Sequence, residues 1–546
     1  MVDPTGVIGL IGLFNTCLEA YKICLTINDA DEDAKLLRTR LFLEKERFLN
    51  VGRTCGLLPH HGKDKKTEAL KQFLEEDEFR RKAINTTLEL IADLLCKAEI
   101  LDRKYGTKEG LPESLKDKTV KDSWDDRLRA LKASVKKITW SVRDRAAYED
   151  ILRHLVGFNT TLESILPGPL QEFLKTVLPA TVCASSSESN LPKLEEVSAQ
   201  HAFLKSQVQW TTSVHTLGLI SKGTELEQKD LAKCDQSEKD KSRYLVKRAK
   251  EESNGYFLVD WNPWEKTSRE RIDRIGSVSG LLGGETCREL RLLSCVGYLE
   301  DQDMKMEKTR YALVYHLASR PRKVQSLFQL LETFKTVQLP PLETRMIIAR
   351  NLCRAMLLYH SSGWIHHDFR SHNIIFVGGS AVTSGAVRAN DGEYQRLRLD
   401  EPYIIGFGHA RDEVDVSLMF ADKRAVSKTL KQQRRYWSPD YLSSSGQMLT
   451  KQSFQRSHDI YSLGCVLLEI GVWRPLESYT WESAYDQDHN KWHKRLLKEE
   501  GKLRAMCGSR YSGTVMQCLN WGSSDIETDI QSLAFDVLLK LEEIVV

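Results

Sequence analysis

No C-x-x-C pair and no His/Cys cluster at metal-ligand spacing occurs in this sequence, whose 12 cysteines are scattered along 546 residues. A structural zinc site and a dense disulfide framework are therefore excluded, and a reducing compartment suits the chain best. A long Lys/Arg block is also missing and the formal net charge is only +3, so a nucleic-acid partner has no electrostatic footprint. Asp3 stands where a secretory signal carries positive charge, and no small-residue cleavage site follows the first apolar run, so a cytoplasmic rather than secreted chain is expected. That run, residues 7–18, stays uncharged for only 12 positions, too short to cross a bilayer. Extending it to Ile27 takes in Glu19 and Lys22, which are costly to insert. Prolines are few between Pro4 and Pro167, so little in that stretch interrupts long helices.

What is present is the composition of an ordinary folded protein, 41% hydrophobic and 28% charged, in a chain long enough for more than one domain. Residues 1–180 read as helices. Ile84, Leu88, Ile91 and Leu95 share one helical face, as do Trp124, Leu128, Leu131, Val135 and Ile138, and again Tyr148, Ile151, Leu152 and Leu155. An all-α bundle buries such stripes. Residues 184–190 and 221–242 are polar and read as linkers, with Leu194, His201, Leu204 and Val208 expected on a connecting helix between them. From Arg243 the pattern changes to short strands, such as Tyr244-Leu245-Val246 and the run Tyr256 to Trp261 around Asn254-Gly255. Helical segments return from about Leu342. The expectation is a multidomain chain: a helical bundle with its connecting helix over 1–215, a linker over 216–242, and a mixed α+β domain over 243–546.

The stretch Ile365-His366-His367-Asp368-Phe369-Arg370-Ser371-His372-Asn373 keeps the spacing of H-R-D-L-x-x-x-N and resembles the catalytic loop of protein kinases. An expected helix over 342–360 precedes it and an expected strand, Ile374-Ile375-Phe376, follows. Downstream, Ile404-Ile405-Gly406-Phe407-Gly408 resembles the D-F-G strand and Ser438-Pro439-Asp440 resembles A-P-E. Asp459-Ile460-Tyr461-Ser462-Leu463-Gly464 is similar to the D-x-W/Y-S-x-G of the large lobe. Four motifs in family order leave chance a poor account of the likeness, which covers about residues 243–546. The resemblance implies a bilobal α+β protein-kinase-like fold. It gives Asp368 the role of orienting an acceptor hydroxyl and Asn373 that of a magnesium ligand.

The departures from the family pattern bear on activity. Gly406 stands where the magnesium-binding Asp belongs, and a hydrogen side chain ligates nothing. In Phe257-Leu258-Val259-Asp260-Trp261-Asn262 the phosphate-binding Lys falls on Asp260 or Asn262. No G-x-G-x-x-G precedes it, since Gly218, Gly223 and Gly255 are too widely spaced to cradle phosphates. His367 replaces the loop Arg that pairs with a phosphorylated activation segment in many kinases. Arg370 is expected to neutralise Asp368. A pseudokinase is the leading reading, with Asp368 and Asn373 hydrogen-bonding their loop into shape and no cofactor expected. Under the opposing reading, a weakly active ATP-dependent protein kinase, ATP and magnesium would bind. Asp412 or Glu413 would then replace Gly406, and Lys247 or Lys266 the missing Lys.

The opening Asp3-Pro4-Thr5-Gly6-Val7-Ile8-Gly9-Leu10-Ile11-Gly12-Leu13-Phe14-Asn15-Thr16-Cys17 resembles the start of the HeLo domain of fungal prion-inhibition and propagation proteins. The likeness is close over 20 residues and looser to about residue 215. It implies a helical bundle tied to programmed cell death and heterokaryon incompatibility, whose N-terminal helix enters a membrane on activation. Val7, Ile8, Gly9, Leu10, Ile11, Gly12, Leu13 and Phe14 are the insertion candidates. The layout is similar to that of the mixed-lineage-kinase-domain-like proteins of necroptosis. Residues 1–180 hold 30 basic against 29 acidic side chains, so attraction to anionic lipid is not the driver of membrane binding. The reading that follows is a cell-death effector, cytoplasmic at rest and at the plasma membrane on activation. Its expected partners are membrane lipid, further copies of itself and an upstream signalling protein. A non-enzymatic scaffold is the remaining alternative.

Overall fold

Ile84, Leu88, Ile91 and Leu95 recur with the period of a helix, and all four are buried along one helix, Glu78–Cys96. The structure is a computed structural model. It describes residues 7–26, 28–29, 32–58, 78–96, 124–135, 139–140, 145–217, 222–233, 243–248, 255–262, 265–266, 269–284, 288–304, 308–317, 324–332, 339–378, 397–409, 411–412, 432–441, 454–480, 489–521, 530 and 533–544. The chain divides into two compact units, Met1–Ala202 and Phe203–Val546.

The first unit is a helical bundle. Its first helix, α1 (Val7–Leu25), packs against α2 (Glu32–Thr54), α3 (Glu78–Cys96) and α4 (Trp124–Val135). Helix α2 also packs against α5 (Arg145–Ser164), α6 (Gly168–Ala184) and α7 (Leu191–Val197). Two short strands, β1 (Asn28–Asp29) and β2 (Thr139–Trp140), pair in parallel. From the other two stripes Leu131, Tyr148, Leu152 and Leu155 are buried, whereas Ile138 lies outside the described residues. Phe14 stacks on Phe48 with ring centroids 4.2 Å apart. Gly52 makes the approach of α1 and α2 possible, since a Cβ there would lie 2.1 Å from Phe14 Cζ. Helix α2 also carries polar groups into the interior. Arg47 Nε and Nη2 donate to Glu163 on α5 at 2.9 and 2.8 Å, and Asn159 Nδ2 donates to Glu44 Oε2 at 2.8 Å.

Helix α8 (Ala202–His215) starts at the last residue of the first unit and otherwise belongs to the second. Leu194 and Leu204, expected on one connecting helix, fall on two, α7 and α8. The break is a 3-10 turn at residues 198–200, followed by His201 at φ −121, ψ 83, outside the helical region. Within the second unit, Gln207 Nε2 donates to Leu358 O at 3.0 Å and to Ser362 Oγ at 2.9 Å. Trp210 meets Trp364 edge to face, with centroids 6.3 Å apart.

A mixed-length antiparallel sheet follows, in the order β3 (Leu231–Lys233), β4 (Arg243–Arg248), β5 (Tyr256–Trp261), β8 (Lys308–Leu317), with β6 (Glu265–Lys266) and β7 (Cys295–Asp303) also on β8. All six side chains of β5 are buried, so the strand reads as a continuous apolar run interrupted only by Asp260. Helix α9 (Arg269–Gly283) covers β7. The stretch expected as a linker contributes to this sheet: Leu226 N donates to Tyr298 O at 2.8 Å, and β3 pairs with β4.

The helical remainder contains α10 (Leu327–Glu332), α11 (Leu342–Ser361), α12 (Arg456–Val472), α13 (His489–Leu497), α14 (Glu500–Leu519) and α15 (Leu539–Glu542). Between them run β9 (Val324–Ser326), β10 (Trp364–Ile365), β11 (Ile374–Val377), β12 (Tyr403–Ile404) and β13 (Arg411–Asp412). Helix α12 is buried over its whole length from Ser457 to Val472 and forms the centre of this part.

Candidate functional site

The loop from His366 to Asn373 joins β10 to β11, and Asp459, at the start of α12, holds its first turn. The fully buried carboxylate accepts from His366 N at 2.7 Å and His367 N at 3.0 Å. Burial pushes the Asp459 carboxyl up, but the hydrogen bond and charge of His360, with the backbone hydrogen bond from His366, outweigh it and hold the group below its ordinary range. His366 donates through Nε2 to Ile405 O at 3.0 Å, because Nδ1 accepts from Asp368 N at 3.3 Å. Its ring lies 4.7 Å from that of Phe407, and burial lowers its pKa, so it serves as a neutral packing group. His367 takes a left-handed backbone, φ 69. It lies among aromatic rings, 4.3 Å from Phe454, 6.2 Å from Tyr441 and 6.5 Å from Trp437.

Asp368, Arg370 and Asn373 converge, and all three are buried. Asn373 Nδ2 donates to Asp368 Oδ2 at 2.9 Å and to Asp368 O at 2.8 Å. Arg370 Nε lies 2.9 Å from Asp368 Oδ1, a charge contact without hydrogen-bond alignment. The Gly406 backbone, at φ +85, presses on the same amide: a Cβ there would lie 2.4 Å from Asn373 Nδ2. Asn262 is placed against the neighbouring Gly408, where a Cβ would meet its side-chain amide at 2.2 Å.

Arg243, which no sequence motif singles out, completes the constellation. Its Nε donates to Asp260 Oδ1 at 2.6 Å, its Nη2 to Asn373 Oδ1 at 2.6 Å, and its Nη1 to His372 O. The signal that finds it is cross-strand register, since Arg243 on β4 stands opposite Asp260 on β5. Lys247 is exposed, its ammonium 4.8 Å from the centroid of the Tyr256 ring. Glu413 and the side chains of Lys266 and Asp412 lie outside the described residues.

This donor set does not fit magnesium. The ion needs several free oxygen ligands in near-octahedral geometry. Here Asp368 Oδ2 and Asn373 Oδ1 already accept protein N–H groups, and Arg370 occupies the charge of Asp368 Oδ1. Among the described residues no group of three or more His, Cys, Asp or Glu is placed to hold a metal ion.

The insertion candidates lie on α1. Leu10, Leu13 and Phe14 are buried, Ile11 is half-buried, and Gly9 and Gly12 are exposed with nothing within 4 Å of an added Cβ among the described residues. Val7 and Ile8 open the helix. Lys22 Nζ donates to Glu19 Oε1 at 2.7 Å on the exposed side. Among the described residues no helix is long and apolar enough to cross a membrane.

Residues 4–197 match the family model of the HeLo domain, described as prion-inhibition and propagation. No curated protein matches the chain.

Proposed function

We propose that this chain is a regulated cell-death effector, in which the N-terminal unit is membrane-active and a pseudokinase in the C-terminal unit controls it. The HeLo match supports the first part at the level of class, a role in cell death or heterokaryon incompatibility. The observation that carries the reading further is the disposition of α1. Leu10, Leu13, Phe14, Cys17, Leu18 and Tyr21 are all turned inward, so the helix presents an apolar surface to lipid only after leaving the bundle. At 19 residues it is about 28 Å long, comparable to a hydrocarbon core of about 30 Å.

On the C-terminal side, the order of the kinase-like motifs supports the fold. The self-satisfied groups around Asp368, Asn373 and Gly406 support a loss of phosphoryl transfer. In this reading the protein rests in the cytoplasm, an upstream signalling protein acts on the C-terminal unit, and self-association at the plasma membrane follows release of α1.

Dye release from liposomes tests this, using residues 1–202, the full chain, and the double variant Gly9→Glu/Gly12→Glu in both. Because nothing among the described residues lies within 4 Å of an added Cβ at either glycine, the double variant is expected to keep the resting bundle, which its unfolding midpoint checks. Leakage by residues 1–202, suppressed in the full chain and lost in the variant, is the expected result. No leakage from residues 1–202 at any concentration overturns the proposal and favours a scaffold.

A further inference from the structure

Arg243 meets three acceptors on two segments: the Asp260 carboxylate on β5, and the His372 carbonyl and Asn373 amide oxygen on the loop. Asp260 is a carboxylate only 5% exposed, and burying one unpaired costs several kcal/mol. The Asn373 amide has committed both N–H directions to Asp368, leaving Oδ1 to be met from elsewhere. The His372 carbonyl points to the same place. One planar guanidinium answers all three, donating from Nε, Nη1 and Nη2 in a fork whose directions are fixed by resonance. A lysine ammonium has no such geometry.

We propose that Arg243 is the resident cation of this site: its guanidinium takes up the oxygens of Asp260 and Asn373 that a divalent metal ion would need, so that the site takes no magnesium-bound nucleotide and instead ties β4 and β5 to the His366–Asn373 loop. Among the described residues the charges close without a metal. Arg243 faces Asp260, Arg370 faces Asp368, and Asn373 links the two pairs. Gly406 belongs to the same arrangement, because an acidic side chain there would have to displace the Asn373 amide that Arg243 holds. The loss of the metal ligand and the gain of the arginine are thus two parts of one substitution of chemistry.

This inference deepens the pseudokinase part of the proposed function and is independent of membrane activity, so leakage assays and the following experiment fail separately. Thermal unfolding of the full chain is followed with and without millimolar magnesium-ATP. No shift of the transition of the C-terminal unit is expected for the wild type. Arg243→Ala should lower that transition by about 5 °C. Millimolar methylguanidinium should restore part of the loss, whereas methylammonium, of equal charge but without the fork, should not. If the alanine variant does not accumulate folded, Arg243→Lys replaces it, with a smaller loss and the same rescue pattern expected. A clear upward shift of the wild type with magnesium-ATP overturns the proposal. So does a variant as stable as the wild type, or one rescued equally by both cations.

Discussion

Glu469, on α12, is fully buried. Its Oε1 accepts from Tyr436 Oη at 2.8 Å and from Leu476 N at 2.7 Å, and Tyr436 Oη also meets Ser371 Oγ at 2.9 Å. A single carboxyl thus links α12 to the loop that carries Asp368 and to the segment carrying Tyr436. Burial pushes it up to about 8 from an ordinary 4.5, against the hydrogen bonds from Leu476 and Tyr436. The folded state therefore holds a proton on Glu469 that the unfolded state has lost between pH 4.5 and 8. Stability from this group is complete below that window, falls as pH rises through it, and levels off above it. The fall amounts to at most about 5 kcal/mol. Glu469→Gln keeps the acceptor oxygen and cannot ionise. Chemical denaturation at pH 5 and pH 9 should show the variant losing less stability across that interval than the wild type. Equal losses would mean that the carboxyl is ionised in the fold at neutral pH.

Among the elements, α1 meets α2 at one close approach. Gly52 on α2 receives the Phe14 ring, and any side chain there overlaps it. Gly52→Ala therefore forces α1 away from α2, at an overpacking cost of about 1–3 kcal/mol. Gly12→Ala is the contrasting case. Its Cβ meets nothing among the described residues, and alanine favours the helix by about 0.5–1 kcal/mol over glycine. Thermal unfolding should show the transition of the first unit falling for Gly52→Ala and holding or rising for Gly12→Ala. If α1 is the membrane element, the first variant should also leak liposomes at lower concentration than the wild type. The difference between these glycines is invisible in the sequence. The spacing of Gly9 and Gly12 puts them in one helical register, but only the packed bundle turns that register outward. The stripe from Ile84 to Leu95 was legible because one helix period fixes which side chains share a face. The partner of Phe14 was not, because Gly52 carries no side chain to signal a contact.

At the scale of the molecule, what was legible followed the same division between local and distant. Spacing along one loop is enough to bring Asp368 and Asn373 together, and they lie 2.9 Å apart. Arg243 depends on the register of β4 against β5, and no local spacing in the sequence reveals which residue faces Asp260. The rings around His367 come from residues 437, 441 and 454, which no local pattern joins. The joint between the units is not legible for a related reason: an apolar period runs through residues 194–208, while the backbone breaks at His201. As a result only residues 198–201 separate α7, in the first unit, from α8, in the second.

In the proposed reading a joint this short would carry a displacement of α8 to α7, whereas a long flexible chain would absorb it. Inserting about ten Gly/Ser residues after Gln200 should leave both unfolding transitions in place, since the buried contacts of each helix are untouched. If the C-terminal unit controls the first through this covalent path, the inserted chain should leak liposomes as residues 1–202 do, although every residue of both units is present. Suppression that survives the insertion would mean that control travels by direct contact between units and not along the joint.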